Sequence, residues 1–453
     1  MVITILPMFS NKTNLNADSN YIFIKNLING ILKKRPDWYF LYIFPNNSDF
    51  IYLPDEIIKN PQVIRIPLFM PTAKKLQVVN FDSQWWYNFN FNYAIDNFIN
   101  NSPELTHGLL VIQQTYTKDA IYKIINQHHY IIHSDLPYPS KDLGDRGLTL
   151  TQLIGTYLGD INIFNSDNCK KMINDNYQKY WGKVPEYKYK KIYFGFDFEY
   201  YDKNRIKPTD KPTFVYNHRF QDYKNWQETF QVFDILWQKG YKFNVLISSI
   251  SAKHTEIAKK PYIKETRRLF KHEDYLKYIS PAQINMINSQ HETLCISAIE
   301  SMIYGQVLIA PKKATFPELT PPDYPYLFNT QSEQIQKTEY LLTHPEEIKK
   351  WGDILKKFVR EKFNEGYFID QWINILEDKD YDIQQLLEGL KKRKELENYL
   401  SDIKGEIPLI ILFKRLRDWI GQRQAFPNIR LKRLLNYYGF KDRFINSIQY
   451  FVK

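Results

Sequence analysis

The chain has 453 residues, 43% of them hydrophobic and 16% aromatic, with only two cysteines, Cys169 and Cys295. That length predicts two or more domains. Two separated thiols exclude a disulfide-stapled scaffold and fit a reducing compartment, so a cytoplasmic location is expected. The formal net charge is +11 at pH 7; no stretch is apolar enough to predict a membrane span, and the short start 1–9 reads as a strand rather than a leader.

In chain order, residues 2–6 predict a first strand, 10–20 a polar loop and 21–34 an amphipathic helix. Further strands are predicted at 38–44, 63–67, 109–112, 130–133 and 161–166. Strands alternating with helical segments imply βαβ units and a parallel sheet, whose ligands bind beyond the carboxyl ends of the strands. That rule brings loop 10–20, His133, Asp135 and Ser166 to one crevice, with His133 and Asp135 as acceptor-side candidates. Residues 202–212 are polar, carry two prolines and read as a hinge.

A second α/β half opens with strand 213–216, followed by helix 226–238 and strand 243–247. A basic helix around 264–272 and a short strand near 276–279 come next. Then follow helix 293–302, stopped by Gly305, a buried strand at 307–310, a short strand at 326–328, and helices 332–343, 345–365 and 368–376.

Two stretches in this half carry chemistry. In the turn after strand 213–216, Arg219 and Lys224 stand five apart, and His218, a further acceptor-side candidate, precedes them. A guanidinium and an ammonium there suit a departing diphosphate, although surface cations are more often merely solvated. Glu292 and Glu300 stand eight apart, just over two helical turns, so both are expected on one face. Glu292 at a helix start lies beside free backbone N–H groups, and Glu300 could accept from paired hydroxyls such as those of a ribose. The plainer alternative is a capping Glu followed by a solvated one. Neither a P-loop, nor a Cys/His metal cluster, nor a Ser-His-Asp spacing occurs, so no metal is expected.

The run E-x7-E from Glu292 to Glu300, followed by Ser301-Met302, Gly305 and an apolar strand, resembles the donor signature of retaining nucleotide-sugar glycosyltransferases of the GT-B fold, family 4 in particular. The resemblance implies two Rossmann-like domains facing a cleft and retention of anomeric configuration. Arg219 and Lys224 would grip the donor phosphates, Glu292 would lie by the sugar and Glu300 would hold the ribose. Thr293, Leu294, Cys295 and Ile279 complete the expected donor site. The family has a Gly-rich run where this chain has Thr293-Leu294-Cys295, and a Gly-rich turn before its P-E where this chain has Lys312-Lys313-Ala314. Residues 191–197 loosely match the P-x-G-[IV]-D segment that ends the first domain, and the last helix would cross back to that domain. The wording N-H-R-x-x-x-Y-K-N at 217–225 is similar to glycosyltransferases that modify nucleic-acid bases: phage DNA enzymes and the queuosine-tRNA mannosyltransferase.

From Leu409 to the end, ten Lys/Arg face two acids, with aromatics interleaved. Lys414, Arg415, Arg430, Lys432, Arg433, Lys441 and Arg443 are therefore nucleic-acid candidates, with an anionic membrane surface or plain structural packing as alternatives. The expected organisation is an acceptor-side domain over 1–200, a nucleotide-sugar domain over 201–378 and a basic helical extension over 379–453. The expected reaction moves a sugar from a UDP- or GDP-linked donor, with no tightly bound cofactor, onto a hydroxymethyl base of phage DNA. The alternatives are a tRNA base, a glycan or lipid at a membrane, or a non-catalytic binding protein.

Overall fold

The computed structural model describes residues 2–6, 19–45, 60–68, 109–112, 124–128, 153, 156–157, 159, 161–248, 254–267, 269 and 271–377. His133, Asp135 and the seven basic candidates of the tail lie outside these residues, as does the expected strand at 130–133.

The first sheet contains β1 (Val2–Leu6), β2 (Tyr39–Pro45), β3 (Val63–Leu68), β4 (Leu109–Ile112), β5 (Ile124–His128), β6 (Ile161–Phe164) and β7 (Tyr189–Lys191). Their order is β3-β2-β1-β4-β5-β6-β7 and every pair is parallel. Apolar runs make these strands: all four residues of β6 are buried, and Ile3 and Ile5 of β1 are closed off from water. Helix α1 (Ser19–Lys34) packs through Phe23, Ile24, Leu27, Ile28 and Ile31, a stripe at helical spacing, and ends on Lys33 and Lys34, which suit its negative pole. Helix α2 (Asp167–Trp181) follows β6. Neither β7 nor α2 was expected from the sequence.

The second sheet contains β8 (Thr213–Tyr216), β9 (Asn244–Ile247), β10 (Ile263–Thr266), β11 (Ile284–Met286), β12 (Val307–Pro311) and β13 (Leu327–Phe328), in the order β10-β9-β8-β11-β12-β13 and again parallel throughout. Both sheets thus walk outward from their first strand and then reverse, which is the Rossmann order, and each has a switch point beside that strand.

Two expectations fail between β9 and β11. The basic helix expected around 264–272 is instead β10 as far as Thr266, with His272 opening helix α3 (His272–Ile279), and the strand expected near 276–279 lies inside that helix. Leu276 and Ile279, three apart, put one helical face into the core, and Tyr278 is buried with them. A short apolar run fits strand and helix equally, and here the flanking acids Glu273 and Asp274 in the first turn favour a helix start.

The chain divides into two units. One comprises residues 1–164, 170–192 and 372–453; the other comprises 165–169 and 193–371. By this division the boundary lies near Ile192. Helix α4 (Glu365–Leu376) begins in the second unit and ends in the first, as the family resemblance implied. In the first unit Trp372 packs edge-on against Phe23 at 5.8 Å, and Arg35 pairs with Glu377 at 2.8 Å.

Candidate active site

The second sheet's switch point lies between β8 and β11, so the loops leaving those strands share the carboxyl edge of the sheet. They carry His218, Arg219 and Lys224 on one side and Glu292 on the other. Gln290 N donates to the Tyr223 carbonyl at 2.8 Å, which ties the two loops together.

Lys224 ends a 3-10 turn, Asp222–Lys224, closed by Asn225 in the left-handed conformation. Its ammonium is buried and paired with the Glu292 carboxylate, their side chains 10% and 11% exposed. Burial, the largest single influence, acts to lower the Lys224 pKa, but the charge and hydrogen bond of Glu292 together with Tyr223 and Cys295 outweigh it, and the proton is held more tightly than on a free lysine. Arg219 is exposed, and its Nη2 donates to the Tyr223 hydroxyl at 3.3 Å. The two cations therefore differ in kind: one is fixed against Glu292, the other stands at the mouth of the loop.

His218 is 4% exposed and bonds Ser297 Oγ through Nδ1 at 3.1 Å. Burial, then Lys224 and Arg219, push its pKa well down, which keeps it neutral. With Glu292 and Cys295 it forms a group whose ligand-type atoms all lie within 4.8 Å. A cation there would face Lys224 and Arg219. It would also need the thiolate of Cys295, whose pKa burial and Glu292 push up to about 12. The cluster suits an anion's surroundings better than a metal's.

Helix α5 (Ile296–Ile303) starts three residues later than expected, because Cys295 takes the left-handed conformation at φ 55° and ψ 68° and serves as its N-cap residue. Glu292, Thr293 and Leu294 thus precede the helix rather than forming its first turn. The strained conformation that glycine would supply is held by a cysteine, and Ala314 does the same at φ 53°. Leu294 is closed into the core, and Thr293 accepts from Ser166 Oγ through its carbonyl, Ser166 being among the residues of the second unit.

Glu300 lies inside the protein, 5% exposed. Its Oε1 accepts from the Tyr201 hydroxyl and pairs with His272 Nε2, both at 3.0 Å, and its Oε2 accepts from the Tyr275 hydroxyl at 2.8 Å. Burial first, and then the Glu300 charge, raise the pKa of both tyrosines well above the usual value, so both remain donors. A carboxylate offers roughly four acceptor positions; Tyr201, His272 and Tyr275 occupy three of those on Glu300. His272 stacks between Tyr200 at 5.7 Å and Tyr275 at 5.8 Å and keeps a partly exposed ring. Tyr275 also accepts from Asn217 Nδ2 at 3.1 Å, and Asn217 bonds Ser297 and Ser301. One polar network therefore runs from the loop after β8 through Tyr275 to Glu300.

Ile279, an expected donor-site residue, ends α3 in the core, where its carbonyl accepts from Gln306 Nε2 at 2.7 Å and from Ala282 N at 3.1 Å. Tyr201, His272, Tyr275 and Glu318 are residues that sequence reasoning missed. Glu318 takes the Asp167 N–H at 2.9 Å and the Tyr193 hydroxyl at 2.6 Å, and so supplies from a distance the acceptor that the start of α2 needs.

Residues 197–358 match the family described as "Glycosyl transferases group 1". The chain is a nucleotide-sugar glycosyltransferase of the GT-B fold. A tRNA-queuosine alpha-mannosyltransferase of Drosophila melanogaster is 24% identical over 54% of this chain and 72% of the relative. Among solved structures, sucrose-phosphate synthase of Thermosynechococcus elongatus superposes with a TM-score of 0.61 at 14% identity, covering 83% of this chain and 98% of that one. An Anabaena protein solved with UDP and glucose gives 0.57 at 12% identity, covering 83% and 100%. A Rickettsia africae glycosyltransferase gives 0.57 at 13%, covering 84% and 98%. Among the described residues of this glycosyltransferase, no helix is long and apolar enough to cross a membrane.

Proposed function

We propose that the protein transfers a sugar, with retention, from a UDP- or GDP-linked donor to a hydroxyl on a nucleic-acid base, and that the base belongs to a tRNA. The observation carrying the donor side is the buried Lys224–Glu292 pair at the second sheet's switch point. The acceptor side rests on likeness to a protein described as a tRNA-queuosine alpha-mannosyltransferase. A hydroxymethyl base in DNA is the second acceptor reading, supported by the wording of residues 217–225 and the basic tail.

In the free enzyme Glu292 neutralises Lys224. A diphosphate brings further negative charge to this ammonium, and Arg219 is positioned to close over it from the loop mouth. As the bond between sugar and phosphate breaks, charge grows on the leaving oxygen, and the fixed Lys224 ammonium stabilises it without having to reorganise. The Glu292 carboxylate then turns its free lone pairs to the sugar hydroxyls. His272, its Nε2 held by Glu300, offers Nδ1 to a ribose hydroxyl, and Glu300 adds its one remaining acceptor position.

The test is incubation with labelled UDP- and GDP-sugars together with tRNA, hydroxymethylated DNA and plain DNA. Label in tRNA is the expected result. Label confined to hydroxymethylated DNA would move the acceptor to DNA. Donor hydrolysis with no label in any polymer would overturn the nucleic-acid reading.

A further inference from the structure

We infer that the outer edge of the first sheet, β7 with the first turns of α2, is a docking surface for a nucleic-acid backbone. The inference rests on the proposed acceptor class and names a surface that would hold it.

Parallel strands are ordinarily covered on both faces. β7 is not: Lys188, Tyr189, Lys190 and Lys191 are all exposed, and among the described residues the strand pairs with β6 alone. The pairing already begins at Lys188, whose carbonyl accepts from Asn162 N at 3.0 Å. Successive strand residues face opposite sides, so Lys188 and Lys190 share one side, about 6.6 Å apart along the strand. That interval is close to the step between successive phosphates of one nucleic-acid strand. On the other side, Tyr189 is 48% exposed while its ring is fixed in place. Phe164 and Tyr187 flank it, each at 6.2 Å, and the Lys170 ammonium of α2 lies 3.5 Å from its centroid.

Lysines on an edge strand also prevent sheet-to-sheet aggregation. That role accounts for the charges but gives no reason for a half-exposed aromatic ring capped by an ammonium. Fixed rings among cations are what backbone-tracking surfaces use: on the Tyr189 side Lys191 and Lys170 flank the ring, and Lys188 and Lys190 carry the positive charge around the edge to the opposite side. The location agrees: Lys191 is in register with Phe164, the last residue of β6, so the patch reaches the carboxyl edge of the sheet.

The experiment compares wild type with the triple variant Lys188→Gln/Lys190→Gln/Lys191→Gln, using unfractionated tRNA as probe and following affinity between low and moderate salt. Loss of three phosphate contacts should flatten the log–log salt slope by about 2, at roughly 0.7 per contact on single strands. Tyr189→Ala should weaken binding with the slope unchanged. A control triple on exposed lysines of the second unit, Lys264→Gln/Lys349→Gln/Lys357→Gln, should leave the slope near wild type. Melting temperature and donor hydrolysis, both expected unchanged, exclude misfolding. An unchanged slope in the β7 variant, an equal drop in the control, or loss of anionic-vesicle binding in place of tRNA binding would each overturn the inference. Wild type that binds tRNA through this surface but transfers no sugar to any nucleic acid would leave the surface standing and remove the proposed acceptor.

Discussion

Lys224 and Arg219 looked alike in the sequence, as a pair of cations five apart. The structure separates them, and their variants should separate too. Lys224→Ala leaves the Glu292 carboxylate buried without its counter-charge, so both kcat/KM and melting temperature should fall, the former by roughly 10²–10³-fold. Arg219→Ala should lower kcat/KM with melting temperature unchanged, since Arg219 is exposed. Steady-state kinetics and thermal melts of both variants check this; a Lys224→Ala protein with wild-type stability would contradict the buried pair. His218 gives a pH prediction. Its folded pKa is depressed, so its contribution to stability is present above the unfolded value, about 6.5, and is lost as pH falls toward the folded value. Melting temperature should drop on acidification below that point, and the drop should be shallower in His218→Gln. Residues adjacent in sequence to a motif were the readable ones. Tyr201, His272 and Tyr275 were not, because they reach Glu300 from separate elements with no local pattern to announce the meeting. The burial of Glu300 among three donors is likewise a tertiary property.

At the level of elements, helix α6 (Pro345–Lys362) meets the turn that follows α5 through a glycine pair, Gly352 and Gly305. A Cβ at Gly352 would lie inside van der Waals contact with the Gly305 carbonyl oxygen, a backbone atom that cannot swing aside. Gly352→Ala should therefore destabilise by about 1–3 kcal/mol despite alanine's better helix propensity, a loss that denaturant melts would show. Ala314→Gly should run against the usual trend. Relief at φ 53° offsets the entropy that glycine adds to the unfolded chain, so stability should hold or rise by up to ~1 kcal/mol. Strands 213–216 and 307–310 and helix 226–238 were readable because their apolar patterns are long or continuous. The start of α5 was misplaced because a left-handed cysteine leaves no mark in a sequence, as glycine would. In the two stretches that stand where the family has Gly-rich runs, Cys295 and Ala314 take the left-handed conformation and bear its strain.

For the whole molecule, the sequence conveyed two Rossmann-type halves and the returning last helix. It did not convey that residues 165–169 count with the second half, which depends on contacts of Ser166 with Thr293 and of Asp167 with Glu318. Truncation after residue 380 should keep donor hydrolysis, because Trp372 and Glu377 remain, and should weaken polyanion binding if the tail engages phosphates; salt-dependent tRNA binding of both forms measures this. Truncation after residue 364 should instead destabilise the first unit, by exposing Phe23 and depriving Arg35 of its carboxylate. The same helix bears on the order of events at the ribosome. Phe23 is translated early, but the tryptophan that covers it comes some 350 residues later. The amino-terminal half therefore emerges with an unfinished surface, and any pause or premature stop between the two leaves that apolar surface open to chaperones and proteases until the last helix arrives.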